Sequence, residues 1–454
     1  MDNQLLPFCK SRASPPLVTF PRAGGDEQAV VADGRDETAK HGFANAGRAF
    51  RVRNYRVYTA GNSISLIGTW MQRISVSWLA WELTHSTLWL GFVAVADLMP
   101  TLVLSPLAGV LADRVDRVRL IWLTQVLAMT QGGVLALLTY FGLISIGTLF
   151  ALTLVLGAVN AVNQPARLAL IPNLIDRTSL PAAVAINSLV FNSARFIGPA
   201  LAGPIIEHGG FALAFATNAV SYLAFIVALS RVKVSADASA SERERRALWS
   251  DTVAGYVYAM RHPGIGRMIL LFAVACLSVR GFIELFPGFA DVVFGRGGPT
   301  WLMATLGLGA MAGGLFMVRR PGIQGLTALI IGHTFLVAGA VLGFTATSNY
   351  WFALGCVFVC GFSMITTGIS AQTLIQSAVD PAMRGRVLGF YGMLFRGGPA
   401  LNAVLLGWLS SFLGLRLAVA VGALVCLAYW AWARLRQEAM EAALEAEARR
   451  AAAP

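Results

Sequence analysis

The chain has 454 residues, 56% of them hydrophobic and only 13% charged, with a formal net charge of +12. A soluble domain is usually about 25% charged, so composition excludes an ordinary water-soluble fold and points to the bilayer. The positive balance is arginine, since lysine occurs only at Lys10, Lys40 and Lys233, and its place in loops reads as membrane topology rather than nucleic-acid binding.

Residues 1–50 are polar, contain Gly and Pro, lack a secretory h-region, and are expected to form a disordered cytoplasmic tail. Twelve apolar stretches follow, at 57–83, 88–112, 118–141, 145–166, 181–207, 211–231, 264–292, 299–318, 322–346, 350–378, 384–412 and 415–433. A helix needs about 20 apolar residues to cross the hydrocarbon core, and each stretch is long enough. Residues 233–263, with Ser-Glu-Arg-Glu-Arg-Arg at 241–246, form a charged connector between bundles at 51–232 and 264–433. The Glu- and Ala-rich run at 434–454 suits a short solvated cytoplasmic helix. The expected fold is therefore an all-α membrane protein with twelve transmembrane helices in two pseudo-symmetric six-helix bundles.

Basic residues fall in every second gap: Arg114, Arg117 and Arg119, then Arg167 and Arg177, then Arg243, Arg245, Arg246 and Arg261, then Arg319 and Arg320, then Arg384 and Arg386. The other gaps hold only Arg296 and Arg416. The positive-inside rule then predicts both termini and the connector on the cytoplasmic side. Cys9, Cys276, Cys356, Cys360 and Cys426 are scattered and read as small thiols, without the second Cys pair or His that a metal site needs. No catalytic constellation and no phosphate-cradling Gly-x-x-x-x-Gly-Lys-Ser/Thr loop is present, which argues against an enzyme, a bound cofactor and direct ATP use.

The two halves echo each other. Gly198-Pro199-Ala200-Leu201 in the fifth stretch recurs as Gly398-Pro399-Ala400-Leu401 in the eleventh, and Arg195 and Arg396 precede them. A chain of related halves is how many transporters are built, with the substrate site at the midplane between them. Small residues there, with Gly203, let helices pack closely.

The second stretch ends in Gly109-Val110-Leu111-Ala112-Asp113-Arg114-Val115-Asp116-Arg117. This resembles the signature loop of the major facilitator superfamily, Gly-x-Leu-Ala-Asp-Arg-x-Gly-Arg, with Asp116 in place of Gly. Gly68-Thr69-Trp70-Met71-Gln72 with Trp78 and Glu82-Leu83-Thr84, together with Pro165-Ala166-Arg167-Leu168-Ala169-Leu170-Ile171-Pro172, Asn192-Ser193-Ala194-Arg195 and Arg384-Gly385-Arg386-Val387, is similar to the enterobactin-exporter-like (transmembrane secretion effector) branch. The resemblance covers residues 50–433 and implies alternating access, with Gly109, Asp113, Arg114 and Arg117 as a cytoplasmic gate that latches the outward-open state. Gly198-Pro199-Ala200-Leu201-Ala202-Gly203 also resembles the packing motif of superfamily antiporters.

Ionisable residues at membrane depth are costly and usually face the bundle interior. Arg73, Asp97, Arg195, Arg280, Glu284 and Arg396 lie well inside their stretches. Arg73 and Asp97 sit about 15 and 14 Å from the same end of antiparallel neighbours and are expected to pair. Arg280 and Glu284 are four apart and are expected to share a helix face. That leaves Arg195 and Arg396, one per half, to make an electropositive midplane, with Asn192, Gln372, Gln376 and Asn402 as neutral donors and Trp70, Trp78 and Phe395 as apolar surface. Asp97 and Glu284, the deep carboxylates, are the proton-coupling candidates. The reading is a monomeric, proton-driven secondary exporter of an amphipathic organic anion, such as a catecholate siderophore or related metabolite. The alternatives are efflux of hydrophobic cationic drugs and a non-transporting membrane scaffold or sensor.

Overall fold

In the computed structural model the backbone is described for residues 50–176, 179–232, 248–296, 298–320 and 322–452, and the side chains for these except 105–114, 181, 248–254, 381–382 and 446–452. The expected tail at 1–49 and the charged run at 241–246 lie outside the described residues. Regular structure among the described residues is entirely helical. The first half of the chain holds α1 (Arg53–Thr84), α2 (Thr87–Arg114), α3 (Arg117–Tyr140), α4 (Ile146–Leu170) and α5 (Leu180–Ser230). The second half holds α6 (Leu248–Arg261), α7 (Ile265–Ser278), α8 (Thr300–Val318), α9 (Leu326–Ala346), α10 (Tyr350–Ala378), α11 (Pro381–Leu413), α12 (Leu415–Arg434) and α13 (Gln437–Ala452).

Among the described residues, nine helices are long and apolar enough to cross a membrane. α5 counts once among them, yet its 51 residues would extend about 77 Å, more than twice the hydrocarbon thickness. It turns at Gly210, whose φ of 71° and ψ of −179° belong to no helix. Only a residue without Cβ adopts that backbone cheaply. The stretches expected at 181–207 and 211–231 are therefore joined across this glycine. α1 and α11 stand outside the nine. α1 carries a row of polar residues and α11 carries Arg384, Arg386 and Arg396.

That row decides how the first half packs. Asn62, Ser65, Gln72 and Ser75 recur at spacings of three and seven residues, one or two turns apart along α1, and all are buried. Hydrocarbon offers such groups no partner, so Ser75 donates back to the Met71 carbonyl of its own helix and the others find partners on neighbouring helices. Ser65 donates to Gln125 of α3, and Gln72 donates to Gln131 at 2.9 Å and accepts from Asn218 of α5. Arg167 donates to Asn62 at 2.9 Å and lies over the Phe225 ring. Arg167 thus sits in the last turn of α4 rather than in the loop its charge suggested. A cation there also meets the negative end of the helix dipole.

The small residues of the repeated motif sit at close helix contacts. A Cβ on Gly198 would stand 2.7 Å from the Ile67 carbonyl and the Trp70 Cβ of α1, and one on Gly398 would stand 2.8 Å from the Cys276 Cβ of α7. Each glycine so seats its helix on the first long membrane helix of its own half. A Cβ on Gly203 would stand 2.9 Å from the Thr300 hydroxyl of α8, across the two halves. Pro199 and Pro399 lie inside α5 and α11.

α7 departs from α geometry after Ser278. It continues as a 3₁₀ segment at Arg280–Leu285, one α turn at Phe286–Gly288 and a π turn at Phe289–Val293. In an unbroken α-helix the Gly281 N–H would donate to the Leu277 carbonyl. Here Asn402 of α11 takes both groups: its Oδ1 accepts from Gly281 at 2.7 Å and its Nδ2 donates to Leu277 at 2.6 Å. One carboxamide repairs the ladder across the break.

α13 is not the solvated helix that its composition suggested. Met440, Leu444 and Glu445 are buried. Leu444 packs over Gly264, and the Glu445 carboxylate accepts from the Gly325 and Thr327 N–H groups at 2.8 and 3.1 Å. These are free donors at the start of α9, which has no side-chain cap of its own. Apolar residues at four-residue spacing bury one face, which glutamate- and alanine-rich composition conceals.

Gln72→Ala should lower the melting midpoint of the detergent-solubilised protein, because it strands Gln131 and Asn218 in the interior; the expected cost is about 1–3 kcal/mol. Thr130→Ala, exposed on α3 and bonded only within its own helix, should leave the midpoint unchanged.

Candidate functional site

The deep charges of both halves meet around α1. Arg73 reaches Glu284 of the α7 3₁₀ segment at 2.9 Å and Asp97 of α2 at 3.5 Å. The pairing of Arg73 with Asp97 follows the depth argument. The pairing of Arg280 with Glu284 does not occur, and the reason is geometric. In a 3₁₀ segment residues four apart point about 120° from each other, so the α-helical face they would share is lost. Glu284 faces the first half, and Arg280 faces into the second. There Arg280 is 8% exposed, donates to the Met364 carbonyl at 2.8 Å and lies over Phe272 and Phe395 alike, 5.0 and 4.9 Å from the ring centroids. Its charge is held by aromatic faces and a carbonyl dipole.

Trp70 is the shelf of the site. The Arg73 guanidinium lies 5.4 Å from its ring and the Arg195 guanidinium 5.5 Å. Arg195 has no carboxylate within salt-bridge distance among the described residues. Arg73, Arg195 and Arg280 against Asp97 and Glu284 leave the interior one positive charge in excess. Arg396 is exposed on α11 and donates to Gln164 of α4, which adds a second cation without a carboxylate.

The neutral candidates divide. Asn402 is 1% exposed and committed to the α7 break. Asn192 donates to Ser188 of its own helix. Gln372 and Gln376 are exposed, one turn apart on α10. Trp78 donates to Glu82 at 3.0 Å and packs edge-on against Phe211, and Phe395 belongs to the Arg280 box. The structure therefore gathers Arg73, Asp97, Arg195 and Glu284 around Trp70, leaves Asn192 to a bond within its own helix and commits Asn402 to the α7 break.

In the gate motif, the side chains of Gly109, Asp113 and Arg114 lie outside the described residues. Arg117 donates to the Ala169 carbonyl at 3.3 Å, near the C-terminus of α4, where a cation is favoured. Asp116, at the position where the signature loop has glycine, caps α3 by accepting from the Arg119 N–H at 2.7 Å.

Sequence reasoning missed two features. One is the buried amide cluster of Gln72, Gln131 and Asn218, which the helical spacing of polar residues along α1 signals. The other is the contact of Trp81 with Asp291, at 2.9 Å, which carries no local signal because 210 residues separate the partners.

With fold and site described, comparison with known proteins is informative. Residues 46–454 match the family described as transmembrane secretion effector. The staphyloferrin A transporter of Staphylococcus aureus is 25% identical over 369 residues, covering 79% of this chain and 90% of that protein. The enterobactin exporter EntS of Escherichia coli is 24% identical over 366 residues, covering 79% and 86%. Among solved structures, a bacterial homologue of the human lysosomal transporter Spinster, in an inward-facing and unoccupied conformation, aligns with a TM-score of 0.67 at 14% identity, covering 87% of this chain and 98% of that one. The family match spans the apolar core of the chain and all the deep charges: the protein belongs to the transmembrane secretion effector family of major facilitator superfamily transporters.

Proposed function

We propose that this transporter exports an amphipathic organic anion, such as a siderophore or related metabolite, driven by the proton gradient. The carrying observation is Arg195, stacked on Trp70 with no carboxylate of its own among the described residues, in an interior with one positive charge in excess. A charge at that depth is expensive unless something compensates it, and low dielectric strengthens its attraction for an anion. Trp70 adds apolar surface for the rest of the ligand. The names of the relatives agree, since two of them are named for siderophores. Asp97 and Glu284 are the carboxylates proposed to carry the coupling proton, and both share Arg73.

The proposed architecture is twelve spans in two related six-helix bundles. α5 contributes two spans by its turn at Gly210, and α7 with its irregular continuation contributes one. The ends carrying α6 and α13 face the cytoplasm, with both termini, in the inner membrane, and the transporter works as a monomer. Reporter fusions after Leu83 or Ile144 should read external, and fusions after Arg119 or Arg246 internal. An external reading at Arg246 overturns this topology.

Flux into inverted vesicles tests the substrate reading. Arg195→Ala should weaken uptake of an organic anion more than that of its neutral analogue. Arg195→Lys should restore it only in part, because lysine lacks the planar two-pronged donor of arginine. Uptake should collapse with a protonophore. Cation uptake without anion uptake, unaffected by Arg195→Ala, overturns the anion reading in favour of drug efflux.

A further inference from the structure

We propose that residues 280–293 of α7 form a clasp on α1, with Glu284 and Asp291 as its two rungs, and that the upper ends of the halves part only when both rungs are released. The upper end is the one where α1 finishes at Thr84 and α11 at Leu413. The inference rests on the alternating-access reading above and names the residues that hold one of its states.

α1 offers two donors two helical turns apart, the Arg73 guanidinium and the Trp81 indole N–H. Eight residues of α-helix separate them by about 12 Å. Both find a carboxylate in the same irregular stretch of the other half. Arg73 meets Glu284 at 2.9 Å and Trp81 meets Asp291 at 2.9 Å. His85, one turn beyond Trp81, stands 3.9 Å from the same Asp291 carboxylate.

The irregular backbone lets the segment come this close. A Cβ on Gly288 would stand 3.1 Å from the Trp81 ring, so α1 rests directly on α7 backbone between the two rungs. Gly281, at the inner end of the segment, is held by Asn402 of α11. The segment is therefore anchored to its own half at one end and bonded to the other half along its length.

The two rungs differ in setting. The Glu284 side chain is 13% exposed and shares Arg73 with Asp97; Arg195 and Arg280 carry the other charges nearby. The Asp291 side chain is 52% exposed. When the halves separate, Arg73 keeps Asp97, which belongs to its own half, so no bare guanidinium is left at membrane depth. Trp81 loses its acceptor where water reaches it. A rung that can be handed to a second carboxylate and a rung that water can replace are both releasable, which a latch requires and a permanent brace does not.

The test measures distance in the full-length protein in nanodiscs without substrate. Spin labels go on Tyr140→Cys and Trp351→Cys, exposed positions at the upper ends of α3 and α10, in a background lacking Cys9, Cys276, Cys356, Cys360 and Cys426. The double variant Trp81→Phe with Glu284→Gln keeps both side-chain shapes close to the parent and removes the indole donor of one rung and the carboxylate charge of the other. It should gain a population at longer separation that the parent lacks, and each single variant should gain less. Asp291→Ala, at an exposed site, should match Trp81→Phe. Distributions that superimpose on the parent in the double variant and in Asp291→Ala overturn the clasp. Because no substrate is present, a wider distribution without anion flux sinks the substrate reading and keeps the clasp, and anion flux with unchanged distances does the reverse.

Discussion

A bilayer supplies no hydrogen-bond partner, so every polar group this chain places at depth must be answered by another part of the chain. That constraint organises the molecule. α1 presents buried polar groups from Asn62 to Ser75, and α3, α4 and α5 are fixed around it by the amides and guanidinium that answer them. In the second half the same requirement falls on backbone. The α7 ladder breaks, and Asn402 supplies the acceptor and donor that the break removes. Arg73 is the point where the two halves share one solution, since its guanidinium answers a carboxylate from each.

How much of this the sequence reveals depends on how local the cause is. The positions of the long apolar helices are legible because about 20 apolar residues in a row is a property of one segment. The pairing of Arg73 with Asp97 is legible because antiparallel neighbours make depth a matter of counting. The pairing of Arg280 with Glu284 misleads because it presumes α geometry where the chain adopts a 3₁₀ segment, and that choice depends on a residue in another helix. Arg167 misleads in the opposite way: a charge near a span end looks like a loop residue until Asn62 and the Phe225 face are seen to receive it.

The repeated Gly-Pro-Ala-Leu shows how a motif can be read correctly and still understate its role. As a sequence it marks an internal echo. As structure, Gly198 lets α5 settle onto α1 backbone, and Gly398 does the same for α11 against α7. Trp70 and Arg73 sit on α1 and Glu284 on the continuation of α7, so the two glycines set how closely the helices behind approach these walls of the site. An added methyl there would be felt first at the Ile67 carbonyl and Trp70 for Gly198, and at Cys276 for Gly398.

The docked last helix has a consequence for how the chain is made. Synthesis runs from the N-terminus, and domains fold as they emerge. α9 begins at Leu326 with donors that nothing nearby in sequence caps, and its cap, Glu445, lies 120 residues beyond Gly325. Until that glutamate leaves the ribosome, the entrance to α9 is exposed and Gly264 lacks the Leu444 side chain that covers it. The second half thus cannot be finished until its last helix has been made, because that helix carries both the cap and the cover.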